Sequence, residues 1–196
     1  MQRSAEVVIL GAGVAGCATA YYLAREGVDV LVVERDAFGS HASGFALGLL
    51  NPLNATGVPG FNQAMIEAGF AMHHTLWPAL EEESGVDIQV RMMPHLELFL
   101  AVDDEARQQA DMARWAAADG FATTRLTASE ARELEPRITD DLHGAMLLEN
   151  IAMLDSYRYT LALAQAAQHH GAEFVTGTAI GLSTEEVAES RESSSP

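Results

Sequence analysis

Residues 6–16 read Glu6-Val7-Val8-Ile9-Leu10-Gly11-Ala12-Gly13-Val14-Ala15-Gly16, and the fold follows from this stretch and its surroundings. Val7 to Leu10 is a short apolar run without alternation, the pattern of a strand buried on both faces. Gly11 permits a tight turn, Gly13 lets a ligand approach the backbone with no Cβ in the way, and Gly16 allows a helix to pack closely on the strand before it. Val14 to Glu26 is rich in Ala and reads as that helix, with Gly27 at the position of a C-terminal cap. Val28 to Glu34 is the next apolar strand. Two such strands joined by one helix make a right-handed parallel crossover, the opening of a doubly wound, Rossmann-like α/β sheet.

Gly11-x-Gly13-x-x-Gly16 between a predicted strand and a predicted helix is a dinucleotide fingerprint, strengthened by an acid at the end of the following strand. The backbone of Gly11, Ala12, Gly13, Val14, Ala15 and Gly16 is the candidate pyrophosphate cradle, because free N–H groups and the positive end of the helix dipole favour anions there. Glu34 stands at the spacing where a carboxylate accepts hydrogen bonds from ribose hydroxyls, and its charge would repel a 2′-phosphate. Arg35 is read as flanking the adenine. These residues fit NAD and FAD equally.

Phe38 to Pro59, dense in Gly, Ser, Asn and Pro, is a long loop, and loops of this length tend to be functional. Phe61 to Ser84 has helical spacing, with a break or kink expected near Trp77 because Pro78 follows. From Val86 the pattern turns to strand alternation through Leu96, Leu98 and Leu100. A helix is predicted from Asp103 or Asp104 to Asp119, a strand from Phe121 to Leu126, and a short helix opened by a Thr127/Glu130 capping box and closed at Pro136. Met146 to Leu154 is apolar with a polar break at Glu149-Asn150. Asp155 or Ser156 then caps a helix to His170, and Ala172 to Thr176 is a short strand that restores the α/β alternation of the opening. Residues 1–85 and 150–182 are assigned to one discontinuous nucleotide-binding domain, 86–149 to an inserted, incomplete α+β domain, and 183–196 to a polar disordered tail.

The chain has 196 residues, 11 basic and 28 acidic, for a formal charge of −17, which disfavours nucleic acid and anionic membranes. No uncharged apolar run is long enough to span a bilayer. Cys17 is the single cysteine, so no intrachain disulfide is possible, and a reducing, cytoplasmic compartment is expected. No metal site is expected: the adjacent pairs His73-His74 and His169-His170 point in different directions on predicted helices and read as surface histidines. Met72, Met92, Met93, Met112, Met146 and Met153 read as core filler, and Cys17 as a small residue packed against the sheet. Nothing in the sequence sets an oligomeric state.

The stretch Ser40-His41-Ala42-Ser43-Gly44-Phe45-Ala46-Leu47-Gly48-Leu49-Leu50-Asn51-Pro52 resembles the D-amino-acid oxidase superfamily of FAD-dependent amine oxidoreductases, in particular its glycine oxidase and sarcosine oxidase branch. The resemblance extends through Leu126–Pro136 and Gly144–Ile180. It implies FAD as the cofactor, with Ala42, Ser43, Leu47, Gly48 and Leu49 in the loop that wraps pyrophosphate and flavin and Ile180 meeting the adenine. The implied reaction is oxidation of a C–N bond in a small amine or amino acid by hydride transfer to flavin N5, which needs no nucleophilic side chain, and no catalytic residue is assigned.

Some relatives attach FAD through a loop histidine three residues before the conserved glycine. Phe45 holds that place before Gly48, so His41 is out of register and non-covalent FAD is expected. The later half of the family fold is missing, which implies a fragment that binds FAD poorly and turns over nothing alone. An inert nucleotide-binding module and a flavin monooxygenase-type enzyme are the alternatives, NADPH-driven flavin reduction being the mark of the latter.

Overall fold

The computed structural model describes residues 3–100, 110, 111, 114 and 121–184. The opening unit forms as expected: β1 (Val7–Leu10), α1 (Val14–Arg25) and β2 (Val30–Glu34). β1 and β2 are parallel, with Val7 opposite Val30 and Leu10 opposite Val33. The last strand, β7 (Glu173–Thr176), pairs parallel on the far side of β2, giving the order β1-β2-β7. A second sheet is built on the long β6 (Gly144–Met153). It pairs antiparallel with β4 (Arg91–Phe99), with β5 (Thr123–Thr127) and with the two-residue β3 (Leu49–Leu50). This is the mixed α/β class read from the sequence.

The main core lies between the parallel sheet and three helices: α1, α2 (Gln63–Ser84) and α4 (Ser156–His169). Small residues explain how closely α1 and α4 pack. Cys17, Ala20 and Ala24 on α1 and Ala162, Ala166 and Ala167 on α4 are all buried, and side chains of that size let two helix backbones approach each other. The larger apolar volume comes from Tyr21, Leu163, Trp77 and Leu80. On the opposite face of the parallel sheet no helix packs among the described residues, and Val8 and Leu10 are 54% and 66% exposed. No helix among the described residues is long and apolar enough to cross a membrane.

Two of the capping signals held, the Asp103/Asp104 cap lying outside the described residues. Thr127 and Glu130 form the reciprocal box at the start of α3 (Ala128–Leu134), and Asp155 caps α4 by accepting from the Arg158 N–H at 2.8 Å. Three expectations need correction. α2 runs unbroken through Pro78: Pro78 is solvent-exposed while Trp77 and Leu80 are buried, so packing of the apolar face outweighs the lost backbone hydrogen bond. His73 is not a surface residue. Its ring is half-buried and stacks on Trp77 at 5.2 Å, and burial, with the neighbouring His74, pushes its pKa down. Of the methionines, Met146 is buried, whereas Met72, Met92 and Met93 are exposed and Met112 lies outside the described residues. The helix expected to end at Asp119 falls outside them except at residues 110, 111 and 114, as does the tail beyond residue 184.

Candidate functional site

The site grows from the turn after β1. Gly11 has φ +101°, a left-handed conformation that glycine adopts without strain. At Gly16 an added Cβ would stand 2.1 Å from the Gly11 carbonyl oxygen, so only glycine lets α1 start this close to the turn. Gly13 precedes α1 in extended backbone and offers no side-chain cap, and no acid stands in the first helical turn. The positive end of the helix is therefore left facing whatever lies beyond the turn.

Two side chains close on this turn from elsewhere in the chain. Glu34, at the end of β2, accepts from the Ala12 N–H at 2.7 Å through Oε2 and from the Asp36 N–H at 2.8 Å through Oε1. The Asp36 N–H first and the Ala12 N–H second hold its carboxyl below the usual range, against an opposing effect of burial, so Glu34 is ionised at neutral pH and acts only as an acceptor. Ser43 lies 29 residues along the chain from Val14 and accepts its N–H at 2.9 Å through Oγ. The Ser43 hydroxyl hydrogen stays free to donate to an anion over the turn. The Gly39 N–H donates to the Ala12 carbonyl at 3.0 Å, fixing the near end of the 38–48 loop to the same turn.

Beside Glu34 opens a cavity of about 250 Å³ lined by Glu34, Asp36, Phe38, Phe174, Val175 and Thr176. Asp36, which the sequence reading passed over, binds Arg35 at 3.1 Å and His41 Nε2 at 2.7 Å through one carboxylate oxygen. Those two partners, His41 first, hold its carboxyl below the usual range. The far end of the loop is tied elsewhere. Gly48, at φ +78°, sits so close to the Leu154 backbone that a Cβ would clash with its carbonyl oxygen, and the Leu154 N–H donates to the Gly48 carbonyl at 3.0 Å.

The structure thus brings Gly11, Ala12, Gly13, Val14, Glu34 and Ser43 together, with Ala15 and Gly16 in the first turn of α1 and Ala42 adjoining Ser43. Gly48 and Leu49 stand at the junction of β3 with β6, and Leu47 is 70% exposed. Arg35 turns to Asp36. Ile180 is 99% exposed beyond β7, so nothing among the described residues packs on it. The residues fit an ADP-containing dinucleotide: a turn that a Cβ would fill, an uncapped helix start, a free hydroxyl donor, and an ionised carboxylate beside a recess.

The sequence pattern of a family described as FAD dependent oxidoreductase matches residues 6–194. Glycine oxidase of Bacillus subtilis (strain 168) is 29% identical over 187 residues, covering 92% of this chain and 47% of that protein. Among solved structures, glycine oxidase from Geobacillus kaustophilus superposes with a TM-score of 0.78 at 28% identity, covering 88% of this chain and 46% of that one. An L-alpha-glycerophosphate oxidase from Mycoplasma pneumoniae with FAD bound has the same fold, with a TM-score of 0.72 at 20% identity over 89% of this chain and 45% of that one. The chain spans about half the length of the relatives it matches.

Proposed function

From the premise that this chain belongs to the FAD-dependent oxidoreductase family, we propose that it supplies the cofactor-binding half of an enzyme that oxidises the C–N bond of a small amine or amino acid. The observation that carries the reading is the convergence of Glu34 and Ser43 on the Ala12–Val14 turn. FAD, when bound, would supply the redox chemistry of substrate oxidation.

The residues of this chain bind and orient. Gly13 admits the pyrophosphate to the backbone, the start of α1 offers N–H donors, and the Ser43 hydroxyl adds one more. The Glu34 carboxylate takes the ribose hydroxyls and disfavours NADP, while the recess between Asp36, Phe38 and Phe174 receives the adenosine end. The loop through Ala42, Leu47, Gly48 and Leu49 carries the chain from pyrophosphate towards flavin. The cofactor is held non-covalently, since Phe45 rather than a histidine stands three residues before Gly48. A cytoplasmic location is proposed from the lone buried cysteine.

Titration of the purified chain, followed by tryptophan fluorescence and calorimetry, tests the reading. FAD and ADP are expected to bind competitively, more weakly than FAD binds full-length relatives, while FMN, which lacks the adenosine half, does not compete. Binding of FMN with the affinity of FAD, or failure of ADP to displace FAD, would refute it.

A further inference from the structure

The 38–48 loop has to stay in place if Ser43 is to meet a pyrophosphate and Gly48 a flavin, yet burial does little to hold residues 45–47. Phe45 is 85% exposed and Leu47, two residues on, is exposed as well, so the apolar side chains on either side of Ala46 contribute almost nothing to anchoring. The near end is fixed by the Gly39 N–H bond to Ala12, while the Asp36–His41 pair lies in solvent, where ion pairs are screened and weak. Between Ser43 and Gly48, the Ala46 carbonyl accepts a hydrogen bond from Ser156 Oγ at 2.7 Å, across 110 residues of sequence. Ser156 is free for this contact because Asp155, not Ser156, caps α4.

We propose that Ser156 is a positioning residue: from the first turn of α4 it holds Ala46, and with it the 44–48 segment, in the conformation that receives FAD. It touches no part of the cofactor and acts through the loop. The inference rests on the function proposed above, but its structural content is separable from it. The hydroxyl works beside the Leu154 N–H bond to Gly48, so the junction of β6 and α4 grips the loop at two carbonyls two residues apart. The serine hydroxyl is the contact that a substitution removes without touching the backbone.

The test compares wild type with Ser156→Ala, which removes the donor, and Ser156→Thr, which keeps it. Three quantities are read: amide hydrogen exchange at residues 44–48 in the cofactor-free chain, the thermal midpoint, and FAD affinity. Ser156→Ala is expected to speed exchange at 44–48 selectively and to weaken FAD by about three- to tenfold, the range for loss of one hydrogen bond. Its midpoint should stay within a few degrees of wild type, and Ser156→Thr should restore both exchange and affinity. Unchanged exchange at 44–48 in Ser156→Ala overturns the proposal, as does a large fall in midpoint with faster exchange across α4, which marks a role in the fold at large. Failure of the wild type to bind FAD at all would strike the proposed function, while the exchange data would still decide on Ser156.

Discussion

Gly13 and Gly16 stand three residues apart in one fingerprint, but the structure gives them different work, and alanine substitutions should separate the two. At Gly16 a Cβ would lie 2.1 Å from the Gly11 carbonyl oxygen and 3.3 Å from Ile9 Cγ2. The first neighbour is backbone, so relief requires α1 to move away from the turn by about an ångström, opening the contact of Cys17 and Ala20 with the sheet. Overpacking of this kind costs about 1–3 kcal/mol, and at about 2–4 °C per kcal/mol for a chain of this size the midpoint should fall by roughly 2–12 °C. At Gly13 the backbone is extended (φ −76°, ψ 177°), which any residue adopts, and the added Cβ meets only Ser43 Oγ, at 3.0 Å. Rotation of Ser43 removes that contact and forfeits the Val14 N–H bond, a loss of about 1 kcal/mol and hence about 2–4 °C. The methyl group, however, then occupies the approach of the pyrophosphate, and FAD affinity should drop by at least about tenfold, the equivalent of 1.4 kcal/mol. Thermal melts with and without FAD, alongside a direct titration, read both effects. The reasoning fails if Gly13→Ala melts as low as Gly16→Ala while keeping wild-type affinity for FAD.

Two further outcomes follow from titratable groups near the turn. Cys17 is fully buried, and burial first, with the Glu34 charge second, pushes its thiol up to about 12, so an aromatic disulfide reagent at pH 8 should label it only in denaturant; prompt labelling of the native chain would contradict the packing described. Glu34 has a depressed pKa when folded, so its ionised form contributes stability that is fully present above its unfolded value of about 4.3 and is lost as pH falls through the lower folded value. The difference in midpoint between wild type and Glu34→Gln should therefore be greatest above about pH 5 and shrink below it, and a difference that stays constant down to about pH 3 would show that the Ala12 and Asp36 bonds do not act through the charge.

The legible part of this protein was the part whose causes are local. Gly11, Gly13 and Gly16 announce a turn and a close approach within six residues, the Thr127/Glu130 box spans four, and Gly27 and Gly171 follow the helices they end. Pro78 misled because its local penalty is real but smaller than the packing of Trp77 and Leu80 against the core, and His73 misled because adjacency of two histidines says nothing about which one is turned into the protein. Leu49–Leu50 as a strand, and the serine that holds Ala46, were hidden for a different reason. Each depends on β6 and α4 arriving from about 100 residues away, and no periodicity encodes a partner at that distance.

That separation bears on how the site comes to exist. The fingerprint requires only β1, α1 and β2, and Glu34 can reach Ala12 as soon as those two strands pair. The far end of the loop has no such independence, because Gly48 and Ala46 find their partners at Leu154 and Ser156, where the second sheet sets β6 beside β3. Meanwhile β7, which follows α4, closes the recess beside Glu34 with Phe174, Val175 and Thr176. In the proposed reading, the adenosine and flavin ends of the site are thus both completed by the segment from β6 to β7. The glycine-rich opening identifies the kind of ligand, but the geometry that receives it is a property of the refolded pair of segments.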